Sequence, residues 1–368
     1  MQIPVTAILL ALGVVLLITP LVRKWAFKWG ALDRPNQRKV HQQVMPRLGG
    51  LAVFIAFTTA VLLTQQISGH IIGLLLGGGL IILLGFVDDT RGISPRVKLA
   101  GQLVAACAVA VIPFFGLRVE ILTNPFSEEY FALGLLSIPV TVLWIVSVTN
   151  AVNLIDGLDG LAGGTVCIAS LTLAAVVWIE TNRNAAGASP GQYEAIALAL
   201  ILAAAVLGFL RYNFYPAKIF LGDTGSMYLG FSVAVLSVMG LAKSATFISV
   251  IIPVVILGIP LLDTICAIIR RFNGQKPIFQ PDKQHLHHRL MKMGLNHRQA
   301  VLCIYGVNIV LGLSAILLTL LTPKQAIIFL VVLSTAVLIL ANKLGVTGAR
   351  SRAAYTTQPN KQQRSSHM

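Results

Sequence analysis

Asparagine and aspartate recur at every third residue in one stretch of the chain, NAVNLIDGLDGLAGG, which lies between two long apolar runs. Asn150, Asn153, Asp156 and Asp159 are these residues, and at 100° per residue the spacing keeps neighbouring side chains on a shared side of a helix. Carboxylate and amide oxygens grouped in this way suit a hard cation or a phosphate-bearing ligand. The alternative is that these residues cap helix ends beside the glycines.

Two adjacent acids, Asp88 and Asp89, end another apolar run, and Lys98 follows them in DDTRGISPRVKLAGQ. Neighbouring carboxylates repel each other unless a cation or a lysine lies close. Together with Lys98, the pair is therefore a candidate catalytic group. The alternative is a solvated turn, which Gly92 and Pro95 would favour.

A glycine-flanked aspartate, Asp223, lies in RYNFYPAKIFLGDTGSMYLG, directly before an apolar run. Backbone N–H groups at the start of the following helix could bind an anion there. The same segment contributes an amide at Asn213 and an aromatic ring at Phe220. The alternative is that Asp223 or Thr224 only caps the helix.

Three histidines and an arginine lie within five residues of the motif HLHHR, at His285, His287, His288 and Arg289. A zinc site would need a further Cys or acid at ligand spacing to complete a tetrahedral set, and none is in place. Contact with a sugar or a phosphate is therefore favoured over a metal, with Arg289 suited to bind a phosphate or carbonyl oxygen.

A basic segment near the N-terminus, DRPNQRKVHQQVMPRLGG, contributes Lys39 and Arg47. Alone, it is typical of any basic loop beside a membrane. Together with the acids, it predicts a basic rim around a floor of carboxylates, as expected where a metal–nucleotide diphosphate binds at a membrane surface.

The elements that must position these residues are membrane-spanning helices. Hydrophobic residues make up 56% of the 368 residues, and the mean hydropathy of +0.82 lies outside the range of soluble globular proteins. We predict an all-α integral membrane protein with about eleven transmembrane helices. Their expected ranges are 4–22, 49–66, 70–87, 99–115, 132–151, 162–179, 195–211, 226–242, 246–268, 300–320 and 325–341.

The distribution of basic residues predicts the orientation of these helices. With the N-terminus outside and the C-terminus in the cytoplasm, 24 of the 28 Lys and Arg residues lie on the cytoplasmic side. All eight Asp lie on that side and all five Glu on the other, which the orientation rule does not explain, since acids contribute little to it. The sequence therefore predicts an active-site cleft on the cytoplasmic face. The net charge of +15 belongs to these loops, so nucleic acid is not an expected partner.

Residues 1–341 are expected to form a single polytopic transmembrane catalytic domain. Residues 342–368 are polar, basic and nearly without large apolar side chains, which predicts a disordered cytoplasmic tail. A membrane transporter is the alternative from a different functional class, but its acids should lie near the bilayer midplane rather than at one face.

Five motifs occur in one order and spacing that resembles the polyprenyl-phosphate N-acetylhexosamine-1-phosphate transferases. They are DRPNxRKVH with PRLGG, GFxDD with PxxKLxxQ, NAxNLIDGLDGLAGG, FLGDTGS and HLHHRL. The resemblance covers nearly all of residues 1–340. The last motif is similar to that of the GlcNAc-1-phosphate branch (TagO/WecA type), whereas the related MurNAc-pentapeptide (MraY) branch carries a different histidine motif.

The resemblance implies roles for individual residues. Asp223 would bind Mg²⁺, with Mn²⁺ as a substitute, and Asn153 lies close enough to share the ion in some members of the family. Asp159 and Phe220 would contact uracil by hydrogen bond and by stacking. The catalytic set, including the groups associated with the polyprenyl phosphate, would be Asp88, Asp89, Lys98 and Asp156. His287, His288 and Arg289 match the motif that the family uses for sugar and diphosphate recognition. From their own positions in the motifs, Asn150, Asn213, Arg47 and Lys39 are also predicted to bind substrate.

The implied reaction transfers GlcNAc-1-phosphate from UDP-GlcNAc to undecaprenyl phosphate at the bacterial plasma membrane and releases UMP, which initiates synthesis of a cell-envelope polysaccharide. UDP-MurNAc-pentapeptide or another hexosamine donor is the alternative. Single displacement is favoured over a covalent intermediate on Asp156, Asp88 or Asp89. A homodimer is also open, because the glycine run at 77–79 could serve close helix packing within or between chains.

Overall fold

A computed structural model of the chain describes residues 3–34, 44–123, 130–183, 189–241, 247–275 and 285–343. These residues form a bundle of helices, so the all-α prediction is confirmed. The helices are α1 (Val5–Trp29), α2 (Gly49–Thr64), α3 (Gly69–Arg91), α4 (Pro95–Val111), α5 (Ser137–Ile155), α6 (Leu161–Arg183), α7 (Pro190–Asn213), α8 (Gly222–Leu241), α9 (Phe247–Ile256), α10 (Gly258–Asn273), α11 (Leu286–Lys292), α12 (His297–Leu320) and α13 (Pro323–Lys343).

Each predicted span coincides with one of these helices, except that the ninth, expected at 246–268, is divided into α9 and α10. Leu257 leaves the helical conformation between them. A continuous helix would press the Pro260 ring against the carbonyl of Ile256, and the break avoids that clash. Eight helices within the described ranges are long and apolar enough to cross a bilayer, and α2 is a shorter apolar helix.

Helix α8 lies at the centre of the bundle, with α2, α3, α5 and α7 packed around it. Its most apolar segment is 100% buried, whereas that of α13 at the margin is 6% buried. A Cβ atom on Gly50 of α2 would overlap the backbone of Gly225 in α8. Helices can approach this closely only where small residues face each other.

The glycine run at 77–79 packs α3 against its neighbours within the same chain. A Cβ atom on Gly77 would overlap the Phe231 ring of α8, and one on Gly78 would lie 3.0 Å from the Tyr228 ring. These two glycines therefore serve packing within one chain, and the homodimer stays a prediction.

The two ends of the bundle carry different connections. At one end, β1 (Leu32–Asp33) pairs antiparallel with β2 (Met45–Pro46), and Arg47 bridges to Phe220 just before α8. We call this the polar end, since it carries Asp88, Lys98, Asp156 and Asp223. At the opposite end, β3 (Ile121–Thr123) pairs antiparallel with β4 (Tyr130–Ala132).

The predicted boundary between domain and tail falls near the end of the described chain. Helix α13 continues to Lys343, two residues beyond the expected end of the domain. Residues 344–368 lie outside the described residues, so the domain division and the tail stay predictions.

Candidate active site

Asp223 is the meeting point of three helices at the polar end. It lies in the first turn of α8, and its Oδ1 accepts hydrogen bonds from Lys98 Nζ at 2.9 Å and from Asn153 Nδ2 at 2.6 Å. Asn153 Nδ2 is also 2.8 Å from Ser226 Oγ, one turn further along α8. The structure therefore joins α4, α5 and α8 at a single carboxylate oxygen.

Asp88 lies on the other side of Lys98, and its Oδ2 forms an ion pair with the same Nζ. Its Oδ1 accepts a hydrogen bond from the backbone N–H of Ile93 at 2.9 Å, which holds the turn between α3 and α4. Lys98 thus lies between two carboxylates, Asp88 and Asp223, and offsets their mutual repulsion, whereas Asp89, the neighbour of Asp88 in the sequence, has other partners.

Asp89 points to the start of α8 and has no exposed side-chain surface. Its Oδ1 accepts a hydrogen bond from Asp223 N at 3.1 Å, and its Oδ2 accepts two from Thr224, from N at 2.9 Å and from Oγ1 at 2.6 Å. Arg47 Nε lies 3.4 Å from Oδ1. Asp89 therefore satisfies backbone N–H groups that the first turn of a helix cannot satisfy itself.

A cavity of about 600 Å³ opens at the polar end beside Asp223, within the size range of small-molecule sites. Eight of the predicted site residues line it: Arg47, Asn153, Asp156, Asp159, Asn213, Phe220, Asp223 and His288. Six others do not line it: Asp88, Asp89, Lys98, Asn150, His287 and Arg289. Lys39 lies outside the described residues.

The loop between α5 and α6 forms one wall of the cavity. Asp159 Oδ2 accepts a hydrogen bond from Ala217 N at 3.0 Å, which ties this wall to the segment before α8. Asp156 ends α5 and is half-buried. Burial, together with the nearby carboxylates of Asp223, Asp89 and Asp159, raises the pKa of Asp156 well above its ordinary value.

Two predicted substrate-binding amides bond within the protein. Asn213 Oδ1 accepts a hydrogen bond from Gly160 N at 3.1 Å, and its Nδ2 donates one to Ile219 O at 3.1 Å. Both the oxygen and the nitrogen of this side-chain amide are therefore bonded to the backbone. Asn150 Nδ2 donates to Gln102 Oε1 at 2.6 Å, one turn deeper than the contact between Lys98 and Asp223. Substrate contact by either amide stays a prediction.

The histidine motif divides between the cavity and the protein interior. His288 lines the cavity, whereas His287 is buried behind it, where a Cβ atom on Gly157 would overlap its ring. Burial and the neighbouring His288 and His285 lower the pKa of His287 to about 3, so the ring is neutral in the folded protein. Arg289 lies on the same short helix, α11.

Two aromatic residues of the cavity were not singled out from the sequence. His297 Nε2 accepts a hydrogen bond from Asp159 N at 2.9 Å, and its ring stacks on Tyr215, with centroids 4.5 Å apart. Tyr215 lies in the segment already marked by Asn213 and Phe220, which is a signal that could have identified it. His297 starts α12 and shows no local pattern, because only the tertiary fold brings it to Asp159.

The donor atoms around the cavity fit a magnesium ion. Asp223 and Asp156 bring carboxylates to one cavity, and Asn153 lies beside Asp223, to which its amide nitrogen donates. Mg²⁺ prefers oxygen ligands such as these carboxylates. The described residues hold no group of three or more His, Cys, Asp or Glu side chains that could enclose a metal. A magnesium site does not require such a group, because Mg²⁺ usually takes one or two carboxylates and completes its coordination with water and substrate phosphates.

Comparisons with known proteins identify the family of this chain. A family model described as glycosyl transferase family 4 matches residues 71–241. A Bacillus subtilis (strain 168) protein, a probable undecaprenyl-phosphate N-acetylglucosaminyl 1-phosphate transferase, is 43% identical over 94% of this chain and 93% of its own length. The decaprenyl-phosphate N-acetylglucosaminephosphotransferase of Mycolicibacterium smegmatis is 36% identical over 77% of this chain and 74% of its own length.

A more distant relative extends the same pattern. The undecaprenyl-phosphate alpha-N-acetylglucosaminyl 1-phosphate transferase of Escherichia coli (strain K12) is 30% identical over 77% of this chain and 75% of its own length. The identity to the Bacillus protein spans almost the whole of both chains, as the order of the five motifs predicts. The chain belongs to the polyprenyl-phosphate N-acetylhexosamine-1-phosphate transferases.

Proposed function

We propose that this protein transfers GlcNAc-1-phosphate from UDP-GlcNAc to undecaprenyl phosphate, giving undecaprenyl-diphosphate-GlcNAc and UMP. The observation that carries the proposal is the Asp223 carboxylate at the cavity, held by Lys98 and Asn153 from two other helices. The names of the relatives supply the acceptor lipid and the sugar.

In this reaction an oxygen of the lipid phosphate attacks the β-phosphorus of the donor. The bond between that phosphorus and the oxygen bridging to the α-phosphate breaks, and UMP leaves with the bridging oxygen. A phosphate monoester has a second pKa of about 6, so the nucleophile is already ionised at neutral pH. The protein therefore needs to position two anions and offset their repulsion rather than remove a proton.

We propose that Arg47, which lines the cavity, offsets part of the negative charge of the substrates. Lys98 does not line the cavity, and it positions Asp223 through a hydrogen bond. Asp88 orients Lys98 from its other side. We propose that Asp159 and Phe220 bind the uracil and that His288 contacts the sugar or diphosphate, since all three line the cavity.

Magnesium, or manganese in its place, would be held by Asp223 with Asn153 close by. When bound, the ion offsets negative charge on the diphosphate. The acids that raise the pKa of Asp156 concentrate negative charge at this cavity, which favours a divalent cation there.

We further propose that the protein is a multi-pass protein of the bacterial plasma membrane with the cavity facing the cytoplasm. The polar end carries the basic segments that the orientation rule assigns to that side. The same side supplies nucleotide sugars.

The test is release of UMP by the protein purified in detergent, with undecaprenyl phosphate as acceptor. UDP-GlcNAc, UDP-GalNAc and UDP-MurNAc-pentapeptide are compared as donors, with and without Mg²⁺. We expect release with UDP-GlcNAc that depends on both Mg²⁺ and the lipid. Asp223→Ala should abolish it, whereas Glu120→Ala, at an exposed acid of the opposite end, should not. No lipid-dependent release from UDP-GlcNAc, or full activity of Asp223→Ala, would refute the proposal.

A single displacement is distinguished from a covalent intermediate by omitting the lipid. With donor labelled in the sugar phosphate, we expect neither UMP release nor labelled protein. Stoichiometric release of UMP with label on the protein would instead show that a carboxylate attacks first.

A further inference from the structure

One buried acid, Asp263 of α10, takes no part in the cavity, yet both of its carboxylate oxygens are bonded. Oδ2 lies 2.8 Å from His285 Nδ1, and Oδ1 accepts a hydrogen bond from the backbone N–H of Leu286 at 3.0 Å. Asp263 is 4% exposed and His285 is 6% exposed. A buried carboxylate is costly unless it is paired, and among the described residues this one bonds to the start of α11.

Helix α11 depends on such an external contact. It has seven residues, and a helix this short is not stable by itself in water. Its first backbone N–H groups have no partner within the helix, and Asp263 satisfies that of Leu286. The acid therefore anchors the beginning of α11 to α10.

A series of ring contacts leads from this anchor to the cavity. The rings of His285 and His287 are parallel within 2°, with centroids 6.0 Å apart. His287 fills the space that a Cβ atom on Gly157 would occupy, and Gly157 lines the cavity. His288, the next residue of α11, lines the cavity itself.

We propose that Asp263 is a positioning residue that acts through His285, holding α11 so that His288 faces the cavity, and thereby sets the affinity for the nucleotide-sugar donor. The inference rests on the proposed function, because it assigns the donor to this cavity. Asp263 itself does not line the cavity. Its loss should weaken donor binding while the groups around Asp223 and the contacts of the acceptor lipid stay in place.

The test compares Asp263→Ala, His285→Phe and the double variant, with UMP release measured against donor and acceptor concentration. His285→Phe keeps a ring beside His287 and removes the donor to Asp263. We expect each single variant to raise the KM for UDP-GlcNAc about tenfold, because each removes one charge-assisted hydrogen bond. The acceptor KM should change less than about threefold, and the double variant should be no worse than the more impaired single variant.

Two conservative variants and one control separate this role from a general loss of structure. His285→Asn keeps an N–H donor near the position of Nδ1 and should restore donor KM toward the wild-type value. Asp263→Asn keeps an acceptor for Leu286 and remains informative if Asp263→Ala does not fold. Thr264→Ala, the neighbouring residue of α10 whose hydroxyl bonds within its own helix, should leave both KM values unchanged.

The outcomes distinguish this inference from the proposed function. A wild-type protein without lipid-dependent UMP release refutes the proposed function. An active wild-type protein whose folded His285→Phe variant keeps the wild-type donor KM refutes only the positioning role. Equal increases in the donor KM and the acceptor KM, or additive effects in the double variant, would also overturn it.

Discussion

Replacing Asp89 by Asn tests whether this acid acts on the structure or on the reaction. Asp89 accepts three hydrogen bonds from the first turn of α8 and has no exposed side-chain surface. Asn has nearly the same shape but keeps only one acceptor oxygen. In one orientation, its NH₂ group would face the backbone N–H and hydroxyl of Thr224, and in the other it would face the backbone N–H of Asp223. Each orientation places a donor against a donor.

The magnitude follows from the contacts that are lost. A hydrogen bond to a buried charged group contributes about 1.5–3 kcal/mol, and a buried donor left without an acceptor costs about 1–3 kcal/mol. We therefore expect Asp89→Asn to lower the free energy of unfolding by about 3 kcal/mol. Thr224→Val removes only the 2.6 Å hydroxyl contact and should lower it by about 1 kcal/mol, whereas Thr224→Ser keeps the hydroxyl and serves as the control.

The assay is thermal unfolding in detergent, measured beside kcat for UMP release. Asp89 holds the backbone of Asp223, and a displacement of about 1 Å at a reacting group can reduce the rate about a hundredfold. Losses of stability and of kcat should therefore follow the same order, with Asp89→Asn most impaired and Thr224→Ser least. An Asp89→Asn protein that unfolds at the wild-type temperature but is inactive would refute this reasoning and assign Asp89 to the chemistry.

Three further predictions follow from buried contacts. Gly50→Ala should prevent α2 from packing on α8 and abolish folded protein, whereas Gly79→Ala should be tolerated, because the nearest heavy atom to its Cβ lies 4.0 Å away. Size-exclusion profiles distinguish the two variants, and a folded Gly50→Ala protein would contradict the close packing of α2 on α8. The pKa of His287 is about 3 in the folded protein, below the ordinary value of about 6.5 that it has in the unfolded chain. Below roughly pH 6.5 the unfolded chain therefore binds a proton that the folded protein does not, and the free energy of unfolding falls, by about 2 kcal/mol at pH 5. Thermal midpoints at pH 7 and pH 5 should therefore differ more for the wild type than for His287→Gln, and equal differences would contradict this. Asn150→Leu and Gln102→Leu should show a coupling energy of about 1 kcal/mol in a double-mutant cycle of unfolding, and additive effects would show that the pair is not formed.

The helices were predictable from the sequence because hydrophobic length is a local property. About 20 apolar residues cross a bilayer whatever surrounds them, so the spans could be placed without knowledge of their neighbours. The division of the ninth span depends on Pro260, whose effect on the carbonyl four residues earlier is also local and could have been recognised. The motifs likewise identified the polar end, since each lies in or beside a connection between apolar runs.

The direction of each side chain was decided only by the tertiary structure. Asn150 and Asn153 are three residues apart, which turns them about 60° from each other around α5. Asn153 consequently reaches Asp223 of α8, while Asn150 meets Gln102 of α4.

The same reason applies to the acids at the end of α3. Asp88 and Asp89 are adjacent, so their side chains point about 100° apart. One reaches Lys98, and the other reaches the start of α8. Their adjacency in the sequence marks both as functional, but only the packing of α3 against α4 and α8 assigns them different partners.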